Sequence, residues 1–209
     1  QDGNPAGIAF NNDGTKMYIL GYYPSRSVHQ YSLSTAFDIS TCSYDNVNFG
    51  VAQDTQPFSF AFNNDGTKMY VLGADNDRVY QYSLSTAFDI STCSYDSVLF
   101  ATAVQNTSPT GIAFNNDGTK MYMAGNAATN KRVFQYSLST AFDLSTCSYD
   151  GVSFDVASKD ITFNNDGTKM YMLGYADVSV YQYSLTTPYL IGDSTVSNPA
   201  TDFKTIKLV

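Results

Sequence analysis

The chain has 209 residues, a net charge of −8, 17 Tyr and 14 Phe, and all 19 of its acidic residues are Asp, with no Glu and no Trp. Such a length can form one domain that buries roughly 70% of its unfolded surface. The acidic balance opposes tight binding to a nucleic-acid backbone or an anionic membrane, and no run approaches the ~18 to 20 apolar residues of a membrane span.

Replacing Glu by Tyr, Phe, Val, Thr, Asn and Gly removes good helix formers and favours strands joined by turns, so the expected class is all-β. The first residue is Gln1 rather than Met. Processing or truncation upstream is the expectation, with any targeting signal out of sight. The nonapeptide FNNDGTKMY begins at Phe10 and returns at Phe62, Phe114 and Phe163, at intervals of 52, 52 and 49 residues. Periods of roughly 40 to 50 residues indicate solenoids or propeller blades.

Within the second copy the elements follow in order. Pro57-Phe58-Ser59-Phe60-Ala61-Phe62 reads as strand A, and Asn63-Asn64-Asp65-Gly66 as a turn in which Gly supplies a positive φ. Lys68–Leu72 reads as strand B, Ala74–Asp77 as a polar turn, and Arg78–Leu84 as strand C. A Ser/Thr-rich connection, expected to be free of helix, leads to strand D at Ser97–Ala101. The other D strands are expected near Val47–Val51 and Val152–Val156, with a fourth in the divergent tail at Thr201–Leu208. After Leu185 the copy decays, as the terminal unit of an array should. The predicted blades are approximately 5–51, 52–104, 105–156 and 157–209, one propeller domain.

Strand B is apolar on both faces in every copy, so both faces must be covered, as they are when sheets stack radially. Strand A carries small residues (Gly7, Ala9, Ser59, Ala61, Gly111, Ala113), which suit the crowded axis of a β-propeller. FNNDGTKMYVLG followed by RVYQYSL resembles the blades of YVTN and TolB-type (PD40) propellers, and the repeat with SLSTAFDISTCSYD resembles repetitive propeller proteins of marine bacteria and phages. The first resemblance implies the blade hairpin and, through some YVTN proteins, a lactonase-like hydrolase. Such an activity needs acids or metal ligands around a central channel, where strand A offers only Asp160. A closed four-bladed ring, a two-chain ring of eight blades and a fragment of a longer propeller all fit the repeat count.

Strand polarity puts the A–B and C–D connections at one end of each blade and the B–C and D–A connections at the other. The first end is nearly invariant, NNDGT in every copy. The second differs each time, with B–C loops GYYPSRS, GADNDR, GNAATNKR and GYADVS. Drift of loops without a packing duty accounts for this as readily as selection for a ligand. If the end binds, its candidates are Tyr22, Tyr23, Arg26, Asp75, Asn76, Asp77, Arg78, Asn126, Asn130, Lys131, Tyr175 and Asp177. Exposed Tyr beside Asn, Asp and Arg suits a glycan or a protein partner.

Catalytic alternatives are thin. His29, the only histidine, fills an aromatic slot held by Tyr80, Phe134 and Tyr181, and no Gly-x-Ser-x-Gly elbow accompanies it. Asp13, Asp65, Asp117 and Asp166 are explained by turn chemistry rather than by calcium, which wants six or more converging oxygens. Cys42, Cys93 and Cys147 occupy one place in three copies, a poor disulfide or zinc framework, and read as small buried thiols. The expectation is a noncatalytic recognition or scaffold module without cofactor or metal, extracellular, at a cell surface or on a virion. It binds glycan or protein, with neither nucleic acid nor membrane insertion, and homo-oligomerisation stays open. A structural filament subunit and the hydrolase are the alternatives.

Overall fold

The structure, a computed structural model, describes residues 4–174 and 179–192 and the backbone of 206–207. It is all-β, with four four-stranded antiparallel sheets, the blades of a β-propeller. The chain divides into two compact units, residues 1–101 and 102–209, each with two blades. In the first unit, blade 1 comprises β1 (Pro5–Phe10), β2 (Lys16–Gly21), β3 (Ser27–Leu33) and β4 (Cys42–Gly50). Blade 2 comprises β5 (Pro57–Phe62), β6 (Lys68–Gly73), β7 (Arg78–Leu84) and β8 (Cys93–Ala101). In the second unit, blade 3 holds β9 (Pro109–Phe114), β10 (Lys120–Ala127), β11 (Asn130–Leu138) and β12 (Cys147–Asp155). Blade 4 holds β13 (Ser158–Phe163), β14 (Lys169–Gly174), β15 (Ser179–Ser184) and β16 (Ile206–Lys207). The tail strand expected over Thr201–Leu208 is described only at Ile206–Lys207, which pairs with β15.

The NNDGT hairpin is built from its own side chains. Asp13 Oδ1 accepts from the Thr15 amide at 2.9 Å and hydroxyl at 2.6 Å, and Asn11 Oδ1 accepts from Lys16 N at 2.8 Å. Gly14 has φ +72, and a Cβ there would fall 2.3 Å from the Phe37 ring. Its carbonyl accepts from Phe37 N at 2.9 Å. The A–B hairpin and the C–D connection are thus packed against one another, and the pattern repeats with Phe88 on Gly66, Phe142 on Gly118 and Tyr189 on Gly167. Blade 4 therefore keeps this connection in the stretch after Leu185 where its letters diverge.

Two expectations need correction. Each Ser/Thr-rich connection contains one 3₁₀ turn of three residues, Ile39–Thr41, Ile90–Thr92 and Leu144–Thr146, N-capped by Asp38, Asp89 and Asp143. The turn starts and finishes at the same end of the blade, since strands C and D remain antiparallel. The assignment of connections to two ends stands. The D strands also begin four or five residues earlier than expected, at Cys42, Cys93 and Cys147. A bulge interrupts each of them, with positive φ at Asn46, Ser97 and Gly151. It aims Asp45 back across the sheet, where it accepts from Lys16 Nζ (2.7 Å), Ser32 Oγ (2.6 Å) and Gln30 Nε2 (2.9 Å).

The core lies on the middle strands. Tyr18, Tyr70 and Tyr122 are fully buried, as are Met69, Met121 and Met170. Each such side chain stabilises by about 1.5–3 kcal/mol. Within the first unit, Tyr18 packs on Phe62 and Phe49 on Tyr82, at centroid distances of 4.8 and 5.6 Å. The Tyr18 hydroxyl donates to the Phe88 carbonyl, and Ile90 N donates to Gln30 Oε1 at 3.1 Å. The second unit repeats the scheme with Tyr122 on Phe163 (4.4 Å), the Tyr122 hydroxyl on the Tyr189 carbonyl, and Ile191 N on Gln135 Oε1 (3.2 Å).

His29 is buried with its ring centroid 6.0 Å from Tyr44, matching Tyr80–Tyr95 at 6.3 Å and Phe134–Tyr149 at 6.1 Å. It is an aromatic substitute. The three cysteines are free and half-buried rather than fully enclosed. Burial, reinforced by Asp96 and Asp150, pushes the Cys93 and Cys147 thiols up to about 12. They are poor nucleophiles at neutral pH.

Candidate functional site

In the first unit the varied loops are rigidly built. Asp54, buried in the D–A loop, accepts from Gln56 N (2.8 Å), Asn76 N (3.1 Å), Asp75 N (3.2 Å) and Asn76 Nδ2 (3.3 Å). One carboxylate thereby ties the D–A loop to the B–C turn of the same blade. Gly73 makes room for it, since a Cβ there would sit 2.2 Å from Asp54 Cγ. Thr55 Oγ1 donates to Asp75 Oδ2 at 2.7 Å, and the Tyr82 hydroxyl to Gln53 Oε1 at 2.7 Å. Asp77 sits at φ 50, and burial, with Asp54 and Asp75 nearby, raises its carboxyl above the ordinary value. Arg78 begins strand β7 with its side chain exposed.

In blade 1, Tyr22 N donates to Asn4 O at 2.9 Å, and Asn4 Nδ2 donates to Tyr23 O at 3.3 Å. The Tyr22 ring stacks on Phe58 of blade 2, with centroids 5.5 Å apart and planes inclined by 24°. Tyr23 is 57% exposed, and Phe58 also presents part of its ring to solvent. The Tyr23–Pro24 peptide is cis and Arg26 has φ 45. The structure thus joins Tyr22 to Phe58, and Asp75 and Asn76 to Asp54.

In the second unit, Asn126, Asn130 and Lys131 belong to strands rather than to a loop, because β10 and β11 run on until only Ala128 and Thr129 connect them. Asn106 takes the place of Asp54. It accepts from Ser108 N at 2.8 Å and donates to the Asn130 carbonyl, while Asn130 Nδ2 donates to Gln105 O at 2.6 Å. Tyr175 and Asp177 lie outside the described residues.

Phe58, Asp54 and Asn106 escaped sequence reasoning. Their signal is an Asp or Asn three residues before a strand-opening proline: Asp2 before Pro5, Asp54 before Pro57, Asn106 before Pro109. Phe58 is the extra residue at the register shift between Pro57 and Ser59, so a strictly alternating reading assigns it no face.

A second place of interest is a pocket of about 180 Å³ in blade 4, lined by Asp160, Ile161, Thr162, Tyr171, Met172, Leu173 and Val180. Asp160 keeps open surface in this pocket but stands deep among protein atoms. Burial pushes its carboxyl up to about 6, against a hydrogen bond from Ile161 N at 2.9 Å. It occupies the register position of Gly7, Ser59 and Gly111 in the other blades. No grouping of three or more His, Cys, Asp or Glu side chains suited to a cation occurs among the described residues.

Two exposed aromatics over hydrogen-bonded loops can stack on a sugar face or an apolar side chain, with amides and hydroxyls at hand. A lone carboxylate of raised basicity can take or give a proton, and among the described residues no nucleophile poised by a base stands beside it.

No family model matches the chain and no curated protein matches it. Solved structures do. A candidate 6-phosphogluconolactonase from Bacteroides uniformis aligns with TM-score 0.63 at 11% identity, over 96% of this chain and 53% of that one. The periplasmic gluconolactonase of Pseudomonas aeruginosa aligns with TM-score 0.59 at 12% identity, over 95% and 52%. A chain of a nidogen–laminin complex aligns with TM-score 0.61 at 14% identity, over 90% and 62%. At such identities the likeness concerns the fold, that of the β-propeller. The chain spans about half the length of most of these structures.

Proposed function

We propose that the protein is a noncatalytic recognition or scaffold module that holds a glycan or a protein on the B–C and D–A loops of its first unit. Its blades are of the YVTN or TolB type, a likeness carried by the FNNDGTKMY hairpin, and its setting is extracellular, at a cell surface or on a virion. The observation that carries the reading is the Tyr22–Phe58 stack with Tyr23 beside it, exposed over loops that Asn4 and Asp54 hold in place. Rings kept exposed by a preorganised frame bind at small entropic cost. A glycan array followed by calorimetric titration of the strongest sugar tests it. Tyr22→Ala and Tyr23→Ala should each weaken binding at least tenfold, whereas unchanged affinity in both overturns the site.

Asp160 favours a second reading, a lactonase-like hydrolase, in keeping with the gluconolactonase names among the structures of similar fold. Acting as a base, Asp160 would give lactone hydrolysis that rises with pH through about 6 and disappears in Asp160→Asn. Hydrolysis unchanged by that substitution removes the reading.

A further inference from the structure

The aromatic site of the first unit has a carboxylate at its edge. Ala74 N donates to Gln56 O at 2.9 Å, which extends the β5–β6 hairpin by one rung. On the next rung Thr55 Oγ1 donates to Asp75 Oδ2 at 2.7 Å. Asp75 therefore stands at the mouth of the hairpin from which Phe58, three residues after Thr55, presents its ring to Tyr22 of blade 1. Asp75 and Thr55 are both exposed.

The surroundings are negative. The B–C loops of blades 1 and 2 and the D–A loop between them contain no lysine. Their two arginines stand off from the rings. Arg78 opens β7, two strands from β5, and Arg26 has its Nε buried. Burial, and then the charges of Asp54 and Asp75, raise the Asp77 carboxyl, so the carboxylates of blade 2 act on one another. Asp54 is engaged by three backbone amides and by Asn76, whereas Asp75 keeps its charge at the surface. Aromatic faces are themselves negative, so rings and carboxylate favour the same sign of ligand.

We propose that the site holds a lysine side chain of a protein partner, its stem laid along the Tyr22–Phe58 pair and its ammonium at Asp75. The inference rests on the recognition reading and narrows it, from a glycan or a protein to a protein with an exposed lysine. A lysine joins an apolar stem to a charged head, which is the pairing that two rings and a carboxylate ask for. Arginine fits less well, because its planar fork seeks both oxygens of a carboxylate and Thr55 already occupies Oδ2. A small free cation also fits less well. Binding pockets enclose most of a small ligand, whereas Phe58 is 37% and Tyr23 57% exposed, and such an open surface suits one side chain of a larger body. The net charge of −8 adds long-range attraction for a basic partner.

Titration of the full chain with the peptide acetyl-Gly-Lys-Gly-amide, followed by aromatic proton resonances, tests the assignment. The lysine peptide should bind at least tenfold more tightly than the same peptide carrying Nε-acetyllysine or norleucine, which keep the stem and lack the charge. Asp75→Asn should weaken it at least fivefold with unchanged far-ultraviolet dichroism, since an amide oxygen still accepts from Thr55. Tyr22→Leu and Phe58→Leu, which preserve bulk, should each weaken it too. Equal binding of the neutral peptides, or indifference to Asp75→Asn, overturns the ammonium site. Tighter binding of the arginine peptide overturns lysine, and choline binding as tightly as the peptide overturns the protein source. Should no peptide bind while a neutral sugar binds through Tyr22 and Tyr23, this inference falls and the recognition reading stands. That reading falls with it only if sugars fail as well.

Discussion

The two ends of each blade obey different rules. At the NNDGT end nearly every repeated letter has a packing or hydrogen-bonding task, performed by the same partner each time: Asp13 with Thr15, Gly14 with Phe37, Asp45 with Lys16, Ser32 and Gln30. At the other end blades 1 to 3 each tie their loops by their own means, through Asn4, Asp54 or Asn106, and leave side chains such as Tyr22, Tyr23, Phe58 and Val104 with surface to spare. Identity among copies therefore marks mechanical necessity, and exposed side chains without a packing duty gather where necessity ends.

The strongest attempt to break this contrast is Gly66→Ala. The residue has φ +71 and its new Cβ would lie 2.2 Å from the Phe88 ring, so strain and displacement of the ring add. Urea unfolding should show a loss of about 2–4 kcal/mol. A change under about 0.5 kcal/mol would mean that the hairpin tolerates drift and is invariant for another reason. Asp54→Ala comes next. It strips the acceptor from the amides of Gln56, Asp75 and Asn76, at about 1–3 kcal/mol, and should loosen the varied end alone. Hydrogen exchange should rise at residues 74–77 and stay unchanged in the NNDGT turns.

How far the letters reveal the molecule follows the same division. The strand order, the turn chemistry of Asp13 and Gly14, and the aromatic slot of His29 are legible because each depends on neighbours in sequence or on comparison between copies. The early start of strand D is hidden, because the bulge at Asn46, Ser97 or Gly151 shifts the register by an amount that alternation cannot report. The candidate loop residues Asn126, Asn130 and Lys131 became strand residues, since a two-residue connection can be shorter than the varied letters suggest. Phe58 matters through the Tyr22 ring of the neighbouring blade, and Asp54 through amides of a turn about twenty residues on, partners that composition does not reveal.

Acid separates the hairpins from the blade 4 pocket. Hydrogen bonds from Thr15, Thr67, Thr119 and Thr168 hold Asp13, Asp65, Asp117 and Asp166 below the ordinary value of 3.8. With folded-state values below unfolded ones, their contribution is complete above about 3.8 and is lost as pH falls through the lowered values. Asp160 has the opposite sign. Its value is raised to about 6, so stability present below 3.8 is lost as pH rises through 6. Melting temperature against pH should fall below 4 in every variant, while the decline between 4 and 6 should shrink in Asp160→Asn, leaving the smaller part contributed by Asp77, whose carboxyl is also raised. A decline undiminished by the substitution would place its source elsewhere.

The smallest effect is the most telling. Tyr23→Ser removes a ring that is 57% exposed, while its backbone carbonyl keeps the bond from Asn4 Nδ2. Stability should change by no more than about 0.5 kcal/mol. A larger loss would show that the ring braces the loop, and the freedom assigned to the varied end would then not exist at Tyr23. An unchanged melting temperature with lost ligand affinity would separate binding from folding at a single side chain, which no substitution in the NNDGT hairpin should be able to do.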